Sequence, residues 1–215
     1  MDADVLTQPF EYGGVVNADL LELIGPLQGR VLDVGCGIGG WSDELRAAGA
    51  ERLVGIEPAA RAAQQARLRY DDVIGEPIER LQPSTFGEQT FSHVLAADVL
   101  EHLVNPWAAL RTMHGWAAPD ATLAVCVPNA RHYRVSLGLL LAGRFSYAAS
   151  GVMDWTHLRW FTRASLDQGL RATGWTPQHW RWVVAGGRSA IADRVLRGVG
   201  SPWLAQQIQV VAQRS

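Results

Sequence analysis

The stretch Val31-Leu32-Asp33-Val34-Gly35-Cys36-Gly37-Ile38-Gly39-Gly40 reads as an apolar strand running directly into a glycine-rich turn. Gly35, Gly37 and Gly40 satisfy the G-x-G-x-x-G spacing of a dinucleotide-binding turn, where bare backbone lets a ligand come close to a helix start. Asp33 and Gly39 are extra to that pattern. A carboxylate two residues before the first glycine repels a pyrophosphate, but it can hold a cationic amino group directly or through water. The turn therefore leaves two cofactors open: a nicotinamide dinucleotide, or an adenosine compound with an amino-acid tail.

Outward from this turn, short apolar runs alternate with longer amphipathic ones, the pattern of a parallel sheet covered by helices. Before the turn, "NADLLELIG" predicts a helix capped by Asn17. After it come a helix through "GWSDELRAAG", a strand "RLVGIEP", an Ala-rich helix "AARAAQQARLR", a short strand "DDVIGE" and an apolar strand "FSHVLAAD". A helix with Pro106 in its first turn leads to the strand "ATLAVCVPN". Residues 129–162 break the alternation with an apolar run, "VSLGLLLAG", and an aromatic loop ending in "THLRWFT". A helix near "RASLDQGLRATG" then precedes the strands "WTPQHWRWVV" and "LAQQIQVVAQ". Those last two strands suit an antiparallel return at one sheet edge. A dinucleotide domain carries a sixth parallel strand and then a substrate domain, for which no sequence remains. The expected fold is α/β: a doubly wound, seven-stranded, mostly parallel sheet with an antiparallel C-terminal strand. It forms one domain over 1–215 with a substrate-cap insertion at about 129–162.

The 215 residues are 48% hydrophobic and 19% charged, with a net charge of −2, a globular profile that gives a nucleic acid little to hold. Cys36 and Cys126 lie in apolar runs without metal-ligand spacing, so neither a disulfide framework nor a metal is expected. The first residues, "MDADVLTQPF", have no apolar leader core, and no apolar run approaches the ~20 residues of a membrane span. These features predict a cytoplasmic protein, monomeric or homodimeric, with a small-molecule substrate and no membrane or nucleic-acid partner.

In a doubly wound sheet the ligand sits outside the carboxyl ends of the strands. Those ends carry Asp33 with Gly35 and Gly37, then Glu57, Glu76 and Asp98. Glu57 lies about 20 residues beyond the first glycine, the spacing of a carboxylate that accepts from ribose hydroxyls. Glu76 follows strand three, where it can accept from an adenine amine. Acceptors for an amino group, a diol and an aromatic amine match S-adenosylmethionine.

With these residues in place the chain resembles the class I SAM-dependent methyltransferases, in particular a small bacterial group with DVGCGxG, DVLEHL and THLRxFT motifs. The likeness spans roughly residues 12–183. It implies that Gly35 and Gly37, with Cys36 between them, face the methionine end, that Glu57 and Pro58 face the ribose, and that Glu76 faces the adenine. Many relatives have Asp at this last position. It also implies that Asp98 and His102 line the cofactor's other side and that Tyr12 is an N-terminal lid. Plainer roles stand beside these: Gly39 and Gly40 as helix-packing glycines, Cys36 as a small filler, Glu101 as a solvated helix-start acid, His102 as a turn-orienting group and Tyr12 as a surface tyrosine.

Methyl transfer from a sulfonium is an in-line displacement, and a base is needed only for a hydroxyl or ammonium acceptor. The segment 129–162 leaves the ligand side of the sheet, and His157 is its first candidate base, His132 its second. Tyr133, Trp155, Arg159 and Trp160 are the candidate acceptor contacts, with the two tryptophans flanking His157 available for stacking. Relatives with "HLRFFT" carry this histidine whatever they methylate, so an architectural role for His157, with Phe161 in the core, stays open. The function expected is methyl transfer to a small molecule, with an oxygen acceptor ahead of nitrogen, in envelope-sugar or secondary-metabolite biosynthesis. An NAD(P)-binding oxidoreductase domain and a non-catalytic SAM-binding module remain the alternatives.

Overall fold

The computed structural model describes residues 17–86 and 90–215. Seven strands form one sheet: β1 (Arg30–Val34), β2 (Arg52–Ile56), β3 (Asp72–Ile74), β4 (Phe91–Ala97), β5 (Ala117–Pro128), β6 (Trp175–Val183) and β7 (Gln207–Arg214). Their order is β3-β2-β1-β4-β5-β7-β6. The pairs from β3 to β5 are parallel. β7 slots between β5 and β6, antiparallel to both, which leaves β6 as the edge strand. The sheet is thus the mixed, doubly wound one that the alternation predicts. Chain order reverses between β1 and β4, and the crevice above that reversal is where such sheets bind ligands.

Helices cover both faces because the central strands are apolar on both. On one face α1 (Ala18–Ile24), α2 (Ser42–Ala47) and α3 (Ala60–Ala66) bury Leu20, Leu45, Ala63 and Ala66 against Val31, Leu53 and Leu95. On the other, α4 (Pro106–Trp116) and α6 (Arg163–Ala172) bury Leu110, Met113, Trp116, Leu166 and Leu170 against Val94, Leu123 and Val210. Local signals set the helix starts. Asn17 accepts from Leu20 N at 3.2 Å, Asn105 accepts from Ala108 N at 3.0 Å ahead of Pro106, and Thr162 and Ser165 form a capping box.

Between β5 and α6 lies α5 (Tyr133–Ala142), which contributes no buried residue, followed by the loop 143–162. Leu140 and Leu141 on α5 are exposed. After β6, α7 (Arg188–Val195) and α8 (Ser201–Leu204) lead into β7. Among the described residues, no helix is long and apolar enough to cross a membrane.

Candidate active site

The glycine turn is pinned to β2, where Gly35 N and Cys36 N both donate to the Ile56 carbonyl, at 2.8 and 3.2 Å. Gly35 and Gly37 take φ of 74° and 55°, conformations in the left-handed region that glycine adopts without a Cβ penalty. Gly35 is exposed to the crevice, and a Cβ there would lie 2.5 Å from Val99 Cγ2. Gly35→Ala is accordingly expected to cost about 2–3 kcal/mol, from left-handed strain of ~1–2 kcal/mol plus overpacking. Calorimetry should show the melting temperature down by roughly 5–10 °C, with part of the loss recovered in a Gly35→Ala, Val99→Ala double variant. Gly39 serves packing, since its missing Cβ leaves room for Ala66 and Tyr70 at 3.2 Å.

The strand-end carboxylates differ from one another. Asp33 is buried and accepts a 2.6 Å hydrogen bond from the Tyr70 hydroxyl. Burial pushes its pKa up to about 7, against the lowering effect of that bond, and the Glu57 charge adds to the rise. Its position at the top of β1 was legible, but its internal partner on the α3–β3 connection was not. Glu57 is also buried, with Oε2 accepting from Gly37 N at 3.0 Å and Oε1 from Ala59 N at 2.7 Å. Burial raises its pKa and the two backbone donors oppose the rise. Pro58, next to it, is exposed. Glu76 is exposed and pairs with Arg80 at 3.4 Å, one turn along. Cys36 is buried with its thiol pKa pushed up by that burial, and its Sγ occupies the space that a Cβ on Gly55 would take. Tyr12 lies outside the described residues.

After β4, Asp98 adopts φ 54°, which is rare for a residue with a side chain and is tolerated best by Asp and Asn. Its backbone N donates to the Cys126 carbonyl at 2.9 Å, and its Oδ1 accepts from Gln207 Nε2 at 2.8 Å. The turn Leu100–His102 follows. The plainer reading of Glu101 as a solvated helix-start acid does not hold: the residue is 1% exposed, and among the described residues no other group bonds either carboxylate oxygen. Its backbone carbonyl accepts from Leu158 N and Arg159 N, tying the THLRWF segment under this turn. The His102 and His157 rings meet edge to face at 4.9 Å. Glu101, His102 and His157 each bring one ligand atom to within 4.8 Å of the others, a set that could hold a metal ion. The sequence reading, which expected no metal, missed it. The signal available was an acid set between Leu100 and Leu103, both buried in the core.

His157 is buried, with Nδ1 3.2 Å from the Val152 carbonyl. Phe161 is buried in the core beside it in sequence. The second candidate, His132, is also buried and lines a cavity of about 490 Å³ together with Arg134, Arg144, Phe145, Met153 and Gln206. Among the described residues, none that lines that cavity is acidic. Burial lowers the His132 pKa and the Arg134 charge adds to the effect, so the imidazole is neutral at pH 7. The expected acceptor contacts fall elsewhere. Tyr133 packs on the His132 ring, Arg159 donates to the Val104 carbonyl, and Trp160 turns into an aromatic cluster with Phe145 and Tyr147. Trp155 is half-buried, and none of these four residues lines the cavity. Stacking of an acceptor between Trp155 and Trp160 therefore finds no support in this cavity. Trp160 packs against Phe145, which does line the cavity, and against Tyr147, both as ring contacts of the kind aromatic side chains favour.

Gln206 lines the cavity, while the next residue, Gln207, bonds Asp98 at the end of β4. The glycine turn, the buried acid after β2 and the left-handed Asp after β4 stand at the carboxyl ends of neighbouring strands of the sheet.

Residues 12–179 match the family model described as "Methyltransferase domain", and the chain belongs to that family. A ubiquinone biosynthesis O-methyltransferase of Neisseria meningitidis is 26% identical over 157 residues, covering 67% of this chain and 63% of that protein. A tRNA U34 carboxymethyltransferase of Citrifermentans bemidjiense is 39% identical over 114 residues, covering 48% of this chain and 34% of that protein. The chain thus matches less than two thirds of the length of either relative. Among solved structures, a SAM-dependent methyltransferase from Archaeoglobus fulgidus superposes with a TM-score of 0.66 at 14% identity, covering 92% of each chain. The fold is that of the SAM-dependent methyltransferases, whose methyl donor is S-adenosylmethionine.

Proposed function

We propose that the chain moves the methyl group of S-adenosylmethionine to a hydroxyl of a small, partly apolar acceptor seated in the cavity beside His132. The observation that carries this reading is the cavity whose described lining carries no acid and includes Gln206, the residue just before β7 and next to Gln207, which holds Asp98. In this reading Gly35 and Gly37 admit the methionine end with Cys36 as its floor, and Asp33 faces the amino group. Glu57 with Pro58 takes the ribose, Glu76 the adenine amine, Asp98 and His102 the opposite side, and Tyr12 the lid. Glu101 and the cavity residues Arg134 and Gln206 join the site that the sequence reading assembled.

The chemistry asks little of the protein beyond alignment. As the acceptor oxygen forms its bond to the methyl carbon, the carbon–sulfur bond breaks and its electron pair stays on sulfur. Holding the three atoms in line supplies up to roughly 7–11 kcal/mol of the barrier. A neutral His132 takes the hydroxyl proton, an effect worth about 10²–10⁴ in rate. His132 displaces His157 as the favoured base because it lines the cavity while Val152 holds His157 from behind. Arg134 and Arg144 in a wall without acids favour an acceptor that carries a carboxylate or phosphate. That chemistry fits a ring acid or sugar phosphate of envelope or secondary metabolism. A polyanion such as tRNA fits less well with a net charge of −2.

Isothermal titration with S-adenosylhomocysteine should show one site per chain, and NAD should give no heat. Binding of NAD in its place would return the crevice to the dinucleotide alternative. In a methyl-transfer screen of hydroxylated acids and sugar phosphates, His132→Gln should lower kcat by about 100-fold with unchanged S-adenosylhomocysteine affinity. An unchanged kcat for that variant would remove His132 as the base.

A further inference from the structure

We propose that Glu101, His102 and His157 form a binding site for a first-row divalent transition cation such as Mn²⁺ or Zn²⁺, placed at the acceptor side of the crevice. The proposal rests on the methyl-transfer reading for its role, not for its existence. The starting observation is the Glu101 carboxyl, which is 1% exposed and whose two oxygens are bonded by no other residue among those described. A buried polar group left unpaired costs about 1–3 kcal/mol, and more when it is charged, so its retention calls for a compensating partner. Asp98 and Asp154 act on it through their charges, and the two imidazoles share its cluster. All of these neighbours suit a positive ion.

The histidines are oriented for ligation from behind. The Nδ1 of His157 faces the Val152 carbonyl at 3.2 Å, which fixes it as the N–H donor and makes Nε2 the basic nitrogen. The Nδ1 of His102 faces the Thr156 carbonyl at 3.4 Å and the Thr156 hydroxyl at 3.3 Å. That hydroxyl spends its own proton on Asp154 Oδ1 at 2.7 Å, so toward His102 it acts as acceptor. Burial lowers the pKa of both imidazoles, which keeps them neutral at pH 7 as ligands must be. The ligand atoms lie within 4.8 Å of one another. Tetrahedral ligands at ~2.1 Å from a cation are roughly 3.4 Å apart, so side-chain movements of about an ångström close the cage. Two imidazoles and one carboxylate suit Mn²⁺, Fe²⁺ or Zn²⁺ better than the oxygen-seeking Mg²⁺ and Ca²⁺. Three protein ligands leave coordination positions for an acceptor oxygen, which the cation would orient and make more acidic before its proton passes to solvent or His132.

The test is titration of the metal-free full chain with Mn²⁺, followed by electron paramagnetic resonance, and with Zn²⁺ by calorimetry. One cation per chain is expected. Glu101→Gln and His157→Gln should each weaken binding by at least 10-fold, comparable to losses seen when metal-site ligands or their supports are removed. Melting curves establish that each variant folds. Three outcomes overturn the proposal: no saturable Mn²⁺ or Zn²⁺ binding by the wild type, equal affinity in the Glu101→Gln variant, or Mg²⁺ binding as tightly as Mn²⁺. S-adenosylhomocysteine titrated in parallel keeps the two readings apart. Its retention without metal binding rejects only the cation site, and its loss rejects the cofactor crevice.

Discussion

Glu57→Gln is expected to weaken S-adenosylhomocysteine binding by about 100-fold, equivalent to ~2.7 kcal/mol. The expectation comes from counting acceptor sites. An ionised carboxylate offers about four, and the Gly37 and Ala59 N–H groups occupy two of those on Glu57. Two remain for the hydroxyls of a ribose. The amide that replaces the carboxylate has one accepting oxygen, and its NH₂ must confront either a backbone N–H or the diol. Hydrogen bonds to charged groups contribute about 1.5–3 kcal/mol each, so loss of one or two accounts for the expected change. Adenosine as a probe should lose affinity in parallel, whereas homocysteine, which has no ribose, should bind the variant as it binds the wild type. Glu57→Asp, which keeps the charge on a shorter stem, should fall between. Equal affinity of wild type and Glu57→Gln for S-adenosylhomocysteine would place the ribose somewhere other than the end of β2.

The same carboxylate shows what a linear sequence can and cannot disclose. Its place at a strand end follows from periodicity and spacing, because both are local properties of the chain. So do the sheet, the Asn17 cap, Pro106 in the first turn of α4 and the place of Asp98 at the end of β4. The partners of these groups are not local. Tyr70 reaches Asp33 from 37 positions away, and Gln207 reaches Asp98 from 109. Neither pairing leaves a periodic trace. Residues 129–162 are recognisable as a pocket-forming insertion on the ligand side, yet which of their side chains line the cavity is not, because a loop's side chains are directed by packing instead of by a repeat. Trp160 illustrates this: next to His157 in sequence by three positions, it packs against Phe145 and Tyr147. Glu101 was misread for a related reason. Acids at the start of a helical turn are ordinarily solvated, and only the tertiary placement of residues 158–159, whose backbone bonds the Glu101 carbonyl, accompanies the burial.

Asp33→Asn should raise the stability of the ligand-free protein at pH 8 while weakening S-adenosylhomocysteine by roughly 100-fold, about 2.7 kcal/mol. The two effects share one cause. The carboxyl's pKa is about 7 in the folded chain against an ordinary 3.8. The folded state therefore holds a proton that the unfolded state has lost across that interval, so stability falls as pH rises from about 4 to 7 and stays low above it. Each pKa unit corresponds to about 1.4 kcal/mol, so the cost at pH 8 is on the order of a few kcal/mol. Asparagine escapes this cost, because its amide oxygen still accepts from the Tyr70 hydroxyl and no charge forms. The melting temperature of the variant should exceed that of the wild type by several degrees at pH 8, and the difference should shrink toward pH 4. An ammonium arriving with the cofactor reverses the balance, since it stabilises the ionised carboxylate and draws the pKa back down. Wild-type affinity for S-adenosylhomocysteine should accordingly rise with pH up to about 7 and release a proton on binding below it, and the Asn variant should show neither. A carboxylate that served only as scaffold would give the stability gain without the loss of affinity, and a titration series from pH 5 to 8 on both proteins separates the two cases.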